Sequence, residues 1–328
     1  MALKRISDSI LYVGADDRTI DLFENQYPVS NGVTYNSYVI KDSKIAVMDT
    51  VDERATDQWF DNLEEAFEGK APDYLVVSHL EPDHSGNIER FLKKYPDTIV
   101  VANAKTFAML PQFIDIDVPE DKRFVAAEGT TLALGKHVLT FVMAPMVHWP
   151  EVMVEYESTE KVLFSADGFG TFGALGDRLK TSELENMPQS WADEARRYFI
   201  NIVGKYGPSV QGLLKKASAL DISVIAPLHG PVIDKDFDFY IDKYMRWSSY
   251  QPEEKGTVIA YSTLHGNTRK AALKLGDDLK KLSELALWQI GDRKYDTELT
   301  ARGVRTIYAY GVAFSGKQVE VAVEEIKK

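Results

Sequence analysis

The stretch Val77–Gly86, VSHLEPDHSG, places two imidazoles and two carboxylates close together along the chain. These donors are His79, Glu81, Asp83 and His84, and they follow the apolar run DYLVVSHL, which predicts a buried strand. A solvated turn has no need for so many side chains of the kinds that bind metals. The stretch therefore predicts a metal site at the point where a strand becomes a loop.

Three further candidate ligands follow apolar runs in the same way: His148 in APMVHWPE, Asp167 in LFSADGFG and His229 in APLHGP. Each has an ordinary structural explanation when taken singly, because a histidine is often hydrogen-bonded in a core and an aspartate often forms a turn. Together with the first motif they offer four imidazoles and three carboxylates. Such a set suits two metal ions, each held by about three protein ligands, with a shared bridge.

The composition excludes several classes of protein. A chain of 328 residues with 45% hydrophobic residues predicts two domains with packed cores. The net charge of −12 argues against nucleic acid or an anionic membrane surface as a partner. With no cysteine, the chain offers no disulfide, thiolate metal site, iron–sulfur cluster or thiol nucleophile.

The first residues, MALKRISDSILYVG, lack the pattern of a secretory signal, and no apolar run reaches the roughly 18 residues of a membrane span. We therefore expect a cytoplasmic protein that does not enter a membrane.

The pattern of elements changes after the charged segment SSYQPEEKG, so we predict two domains, residues 1–252 and 253–328. The first domain shows a series of short strands with helices over Ala55–Phe67, after an N-cap at Ser85, and over Leu184–Leu220. In the second, TVIAYSTLHGNTRKAALKLGDDLKKL and VRTIYAYGVAFSGKQVEVAVEEIKK each read as strand, loop and helix.

The ordered motifs H-x-E-x-D-H, H-W-P, S-x-D-G-F-G and H-G-P resemble those of the flavodiiron proteins in the metallo-β-lactamase superfamily. The resemblance implies an α/β fold, a metallo-β-lactamase-like αββα sandwich over residues 1–252. It also implies two iron ions, Fe2+ or Fe3+, with no separate catalytic residue. The first iron would take His79, Glu81 and His148, the second Asp83, His84 and His229, and Asp167 would bridge them.

One position separates this chain from the hydrolytic members, which carry H-x-H-x-D-H. Glu81 replaces the second histidine, and a carboxylate is a harder donor that favours iron or manganese over zinc. Glu151 and Val152 stand where flavodiiron proteins tend to carry Asp and Ser, so the groups that orient the ligands are expected to differ.

Residues 253–328 resemble a truncated flavodoxin-like α/β domain. Ser262–Thr268, STLHGNT, is similar to a flavodoxin phosphate loop, which holds a phosphate at a helix N-terminus. A complete domain needs roughly 130–150 residues at about 30 per βαβ unit. We therefore expect a structural domain without bound FMN.

The resemblance then implies a diiron protein that binds O2 as a peroxo adduct, since the irons have no internal supply of electrons. An oxygen or iron sensor for chemotaxis-type signalling is the leading interpretation, with a homodimer and a chemoreceptor-type partner expected. A flavodiiron-type O2 or NO reductase, using FMN or an external donor, is the alternative. A binuclear hydrolase is a third possibility, and Glu81 counts against it.

Overall fold

The computed structural model describes residues 3–253, 259–292, 306–315 and 318–327. The chain divides into two compact units, Met1–Gln251 and Pro252–Lys328. None of the helices within these ranges is both long and apolar enough to cross a bilayer.

The first unit contains a six-stranded mixed sheet in the order β1-β6-β7-β8-β9-β10. Its strands are β1 (Ile10–Tyr12), β6 (Tyr38–Lys41), β7 (Ile45–Met48), β8 (Tyr74–Val76), β9 (Ile99–Asn103) and β10 (Arg123–Ala126). The pairs from β7 to β10 are parallel, while β1, β6 and β7 pair antiparallel. Two short ribbons flank this sheet: β2 (Ala15–Asp17) with β5 (Val33–Tyr35), and β3 (Leu22–Phe23) with β4 (Tyr27–Pro28).

A second, five-stranded sheet has the order β11-β12-β13-β14-β15. Its strands are β11 (Thr131–Ala133), β12 (Val138–Met143), β13 (Met153–Glu157), β14 (Val162–Phe164) and β15 (Val224–Ala226). Neighbouring strands are antiparallel except for β14 and β15, which are parallel. Parallel pairing directs the C-terminal ends of β14 and β15 to the same edge, where the chain leaves each strand for a loop.

Seven helices of the first unit cover these sheets. They are α1 (Thr56–Phe67), α2 (Pro82–Ser85), α3 (Ile88–Lys94), α4 (Ala104–Met109), α5 (Gln189–Tyr198), α6 (Gly207–Ala217) and α7 (Phe237–Ser248). A π-helical turn, Phe199–Val203, continues α5. Helix α1 shows why such segments pack: its buried residues recur at helical spacing, which forms one apolar face.

Two apolar clusters give the unit its layers. One lies between the sheets and joins residues such as Tyr38 and Val76 of the first sheet to Phe141 and Phe164 of the second. The other joins the outer faces of the sheets to the helices. The order is therefore helix, sheet, sheet, helix, which confirms the αββα sandwich.

Some local predictions are wrong. Ser85 does not cap the following helix, because it is the last residue of α2 and its hydroxyl donates to the carbonyl of Leu80 at 2.8 Å. The N-cap of α3 is Asn87 instead. Ser85 completes a short turn that Pro82 starts, so the chain bends twice between β8 and α3.

The second unit contains helix α8 (Asn267–Asp292), whose first two residues are the last two of the predicted phosphate loop. It also contains β16 (Thr306–Ser315) and β17 (Gln318–Lys327), which pair antiparallel. The helix predicted at the end of the chain is therefore wrong, because alternating Val and Glu in QVEVAVEEIK suits a strand. The strand predicted over TVIAYS is not found at Ile259–Ser262, and its first two residues, like the last three of the segment SSYQPEEKG, lie outside the described ranges.

Asn36 ties the first sheet to the loop after β15. Its Nδ2 donates to the carbonyls of Pro227 and Gly230, both at 2.8 Å, and its Oδ1 accepts from the hydroxyl of Tyr12 at 3.1 Å. Asn36 is fully buried. Water therefore cannot easily replace these bonds.

We predict that Asn36→Ala lowers the free energy of unfolding by about 1–3 kcal/mol, because it leaves the Gly230 carbonyl and the Tyr12 hydroxyl without this partner, while the Pro227 carbonyl keeps the hydroxyl of Tyr38. Urea denaturation should show a lower midpoint with an unchanged slope. Asn62→Ala is the control, since Asn62 donates to the carbonyls of Val13 and Gly14 from a half-buried position. An equal loss in both variants would contradict this role of Asn36.

Candidate metal centre

Strand ends at one edge of the sandwich carry all seven predicted ligands. His79 and Glu81 follow β8, and helix α2 then carries Asp83 and His84. The other three lie in the β12–β13 connection, after β14 and after β15, at His148, Asp167 and His229. All seven side chains are buried.

The seven side chains form two groups with Asp167 between them. His79, Glu81, His148 and Asp167 make one group, and Asp83, His84 and His229 make the other. In the first, His148 Nε2 lies 3.0 Å from Glu81 Oε2, and His79 Nε2 lies 3.2 Å from the same oxygen. In the second, His229 Nε2 lies 3.1 Å from Asp83 Oδ2.

Each oxygen of the Asp167 carboxylate faces one group. Oδ2 lies 3.2 Å from His148 Nε2 and 3.4 Å from His79 Nε2. Oδ1 lies 3.3 Å from His84 Nε2 and 3.8 Å from His229 Nε2. One carboxylate is thus placed to contact two adjacent cations.

The donor atoms themselves indicate that cations belong here. Both carboxylate oxygens of Asp83 and of Asp167, and both ring nitrogens of His84, are buried without a hydrogen-bond partner. Unpaired buried polar atoms are costly, and carboxylate and imidazole are suitable ligands for iron, manganese or zinc. The residues therefore fit a pair of metal ions.

Two imidazoles are held by their outer nitrogens. His79 Nδ1 lies 2.8 Å from Glu151 Oε1, which also accepts from the amide of Leu80 at 2.9 Å. His229 Nδ1 donates to the carbonyl of Thr34 at 2.6 Å. With Nδ1 occupied in this way, each ring directs Nε2 into the centre.

The carboxylates also change the protonation of the site when no cation is present. Burial opposes a charged imidazole, but the carboxylates of Asp167 and Glu81 beside the ring raise the pKa of His148 to about 9. Burial likewise opposes the charge on His229, and Asp83 raises its pKa to about 9. Burial would raise the pKa of Asp167, yet the imidazoles of His148 and His84 beside it hold that pKa well below its usual range.

A cavity of about 550 Å³ opens onto the metal-facing carboxylates Glu81 and Asp83. Glu24 lies at its wall, and burial together with a hydrogen bond to Glu81 raises the pKa of Glu24 to about 8. Tyr35 lines the same cavity, and its ring centroid lies 6.1 Å from that of His229.

Aromatic rings surround the imidazoles. The Trp149 ring meets His79 edge to face at 5.2 Å, and Tyr198 lies 5.5 Å from His229 between ring centroids. Phe172 contacts Tyr198. Phe169, two residues after Asp167, stacks on Tyr244 at 4.2 Å.

Sequence reasoning did not single out Thr34, Tyr198 or Glu24. Thr34 acts through a backbone carbonyl, which no sequence motif marks. Tyr198 and Glu24 lie far along the chain from the four motifs and reach the site only through the fold. His137 is not part of the site: it lies directly before β12, with Nδ1 3.1 Å from Glu157 Oε1.

The fold and the site define a metallo-β-lactamase-type αββα protein with a binuclear set of nitrogen and oxygen donors. The family model described as ODP family beta lactamase matches residues 33–230. The chain is 34% identical over 278 residues to the nitric oxide reductase of Moorella thermoacetica, a match that covers 84% of this chain and 68% of that one. The chain belongs to the flavodiiron protein family.

Solved structures agree with this assignment. The flavodiiron protein from Giardia intestinalis superimposes with a TM-score of 0.80 at 26% identity, covering 86% of this chain and 68% of that one. Rubredoxin oxygen:oxidoreductase from Desulfovibrio gigas gives a TM-score of 0.75 at 25% identity, covering 89% and 69%. The resemblance drawn from the motifs is therefore confirmed.

We predict that Glu151→Gln weakens Fe2+ binding by about 10–100-fold. The glutamine side chain is neutral, so His79 Nδ1 loses the anionic acceptor that orients its ring. Competition with a chromogenic chelator measures the affinity. Glu157→Gln is the matched control, since Glu157 is equally buried but lies beside His137. Equal affinities for Glu151→Gln and the unaltered protein would show that Glu151 does not support the ligand.

We also predict that the metal-free protein loses stability as the pH rises. The pKa of His148 and of His229 is about 9 in the folded chain, against an ordinary value of about 6.5. Their stabilisation is complete below about pH 6.5 and is lost as the pH passes through about 9. Urea midpoints across this range measure it, and the double variant His148→Gln with His229→Gln should show a flatter profile.

Proposed function

We propose that this protein is a non-haem diiron protein whose two iron ions react with O2 or NO, in the manner of an oxidoreductase. His79, Glu81 and His148 would hold one iron, and Asp83, His84 and His229 would hold the other. Asp167 would offer one oxygen to each. The observation that carries the proposal is the division of the Asp167 carboxylate, with Oδ2 towards one set of imidazoles and Oδ1 towards the other.

The donor set supports iron over zinc. Three carboxylates and four imidazoles give a harder, more anionic environment than an all-imidazole site, and such ligands suit Fe2+ and Fe3+. Glu81 contributes most to this difference, because it replaces an imidazole of the hydrolytic pattern. It also argues against a binuclear hydrolase.

The chain's own residues prepare the site for a small ligand. Glu151 and the Thr34 carbonyl fix the directions of two imidazoles, and burial keeps bulk water from the carboxylates. The cavity beside Glu81 and Asp83 gives access from one side. When bound, a ferrous pair supplies two electrons to the ligand. The printed names of relatives, a nitric oxide reductase and an oxygen:oxidoreductase, support these two substrates.

A second candidate function is O2 binding for oxygen or iron sensing, in a homodimer that signals to a chemoreceptor-type partner. Its support is the composition: with no cysteine, the chain holds no iron–sulfur or rubredoxin-type relay. The phosphate-type loop before α8 is open as well, with Leu264 96% exposed. On this proposal FMN is not bound, and the oxygenated centre persists instead of turning over.

We predict that the protein binds two iron ions per chain and that Asp167→Ala retains fewer than two. Removing the bridge leaves the imidazoles of both groups without their shared anion. Elemental analysis after anaerobic Fe2+ loading measures the stoichiometry, and Mössbauer spectroscopy reports whether the ions are coupled. Asp177→Ala, at an exposed position, is the control.

Measurements on the same iron-loaded protein distinguish a reductase from a sensor. Reductase activity requires many O2 or NO molecules consumed per chain in the presence of a reductant. Sensing requires a single oxygenation and a long-lived visible absorption band. A flavin spectrum in the purified protein would favour the reductase, and iron binding without any reaction with O2 or NO would refute both.

A further inference from the structure

Buried tryptophan and tyrosine rings form a continuous stack between α5 and α7. Trp191 and Trp247 lie nearly parallel, with ring centroids 5.9 Å apart and an interplanar angle of 16°. Tyr244 lies 5.7 Å from Trp247 and 6.4 Å from Trp191. Each of the three is less than a tenth exposed.

The inner end of this stack reaches the loop that carries the bridging ligand. Phe169, two residues after Asp167, stacks on Tyr244 at 4.2 Å. Its neighbour Gly170 packs on the ring of Tyr198, where a Cβ would lie only 2.8 Å from Cε1. One short loop thus separates the two tyrosine rings.

Tyr198 completes the connection to the metal centre. Its ring centroid lies 5.5 Å from that of His229, which is 4.7 Å from that of His84. Phe199, the next residue in the chain, lies 5.1 Å from Tyr244. Aromatic rings therefore run from Trp191 to Tyr244, and a second series runs from Tyr198 to two of the proposed iron ligands. The two series are joined by the backbone at Phe169–Gly170 and at Tyr198–Phe199.

The outer end of the stack opens to the surface. Trp191 lines a cavity of about 520 Å³, together with Arg18, Ser190 and Glu194. The indole N–H groups of Trp191 and Trp247 are buried and have no acceptor within the described chain. Simple packing would be served better by phenylalanine, since an indole N–H buried without a partner costs free energy.

Resting on the proposed function, we infer that Trp191, Trp247, Tyr244 and Tyr198 form a one-electron relay between the metal centre and the cavity at Trp191. Reduction of O2 to two waters takes four electrons and four protons. Two electrons come from the oxidation of two Fe2+ to Fe3+.

Tyr198 gives the third electron and its phenolic proton, and is left as a neutral radical. Trp191 gives the fourth electron through the same stack and is left as a radical cation, because its indole N–H has no acceptor within the described chain to take the proton. Solvent provides the other three protons. A small reductant at the cavity, such as ascorbate, restores both side chains: one electron reduces Trp191, and a second passes through Trp191 to the Tyr198 radical, which takes a proton from solvent.

The first test mixes anaerobically loaded protein, with two Fe2+ per chain, with O2 and freezes samples at successive times for electron paramagnetic resonance. We expect a tyrosyl signal followed by a tryptophanyl signal. Tyr198→Phe should remove the tyrosyl signal, and Trp191→Phe should remove the tryptophanyl signal while the tyrosyl radical lasts longer. Trp59→Phe is the control, because Trp59 is buried in the other helical layer, where its indole donates to Ser37.

Full oxidation of the iron with no protein radical at any time would overturn the relay and leave the proposed function standing. Failure to oxidise the iron would instead count against the proposed function. The cysteine-free chain then allows a test of the relay that needs no metal.

In that test, Ser190→Cys carries the only thiol, and a ruthenium photo-oxidant is attached to it beside Trp191. A light flash should oxidise Trp191 and then a tyrosine, as seen by transient absorption. Adding Tyr198→Phe, Tyr244→Phe and Tyr240→Phe should leave the oxidation on tryptophan; Tyr240 is included because its ring centroid lies 4.7 Å from that of Trp191. Adding Trp191→Phe should slow every later step. Tyrosine oxidation at an unchanged rate without Trp191 would refute the relay.

Discussion

The Asp167 carboxylate lies between four imidazoles, and its position constrains the whole centre. Each of its oxygens faces a different pair of histidines, within 3.2 to 3.8 Å. The backbone holds it there because Asp167 follows β14, which pairs in parallel with β15, the strand that leads to His229. The seven donors therefore converge only when the two sheets pack against each other in this one arrangement.

The negative charges of the buried carboxylates must be balanced for the centre to be stable. Three carboxylates in a dry environment repel one another, and only cations or protonated imidazoles can balance them. Without metal, protons on His148 and His229 take this role, as their raised pKa values show. On the proposed function, the same carboxylates would instead be ligands of the metal ions. Protons and metal ions would then replace each other with little need for new contacts.

The helical layer beside the second sheet adds a different property. Its core is aromatic where aliphatic side chains would suffice, and the rings pass from a surface cavity to the loop that carries Asp167. A centre that reacts with O2 or NO needs electrons as well as a binding pocket. The same packed layer that fixes the loop also offers a path for them.

The secondary structure illustrates how much of the fold the sequence predicts. Periodicity predicts most strands of the sandwich, because alternating or continuous apolar runs reflect burial on sheet faces. It fails at the end of the chain, where QVEVAVEEIK forms a strand although a helix was expected. Short segments rich in Glu and Val have no decisive local preference, so their pairing partner determines their structure.

The sequence by itself determined the types and order of the seven donors, since imidazole and carboxylate chemistry depends on residue identity. Glu81 alone was enough to separate this chain from the hydrolytic pattern. Only the tertiary structure decided that Asp167 divides its oxygens between two groups, that Thr34 and Glu151 orient the imidazoles, and that Tyr198 lies against His229. These are contacts between residues far apart in the chain, and they exist only after the sheets have packed.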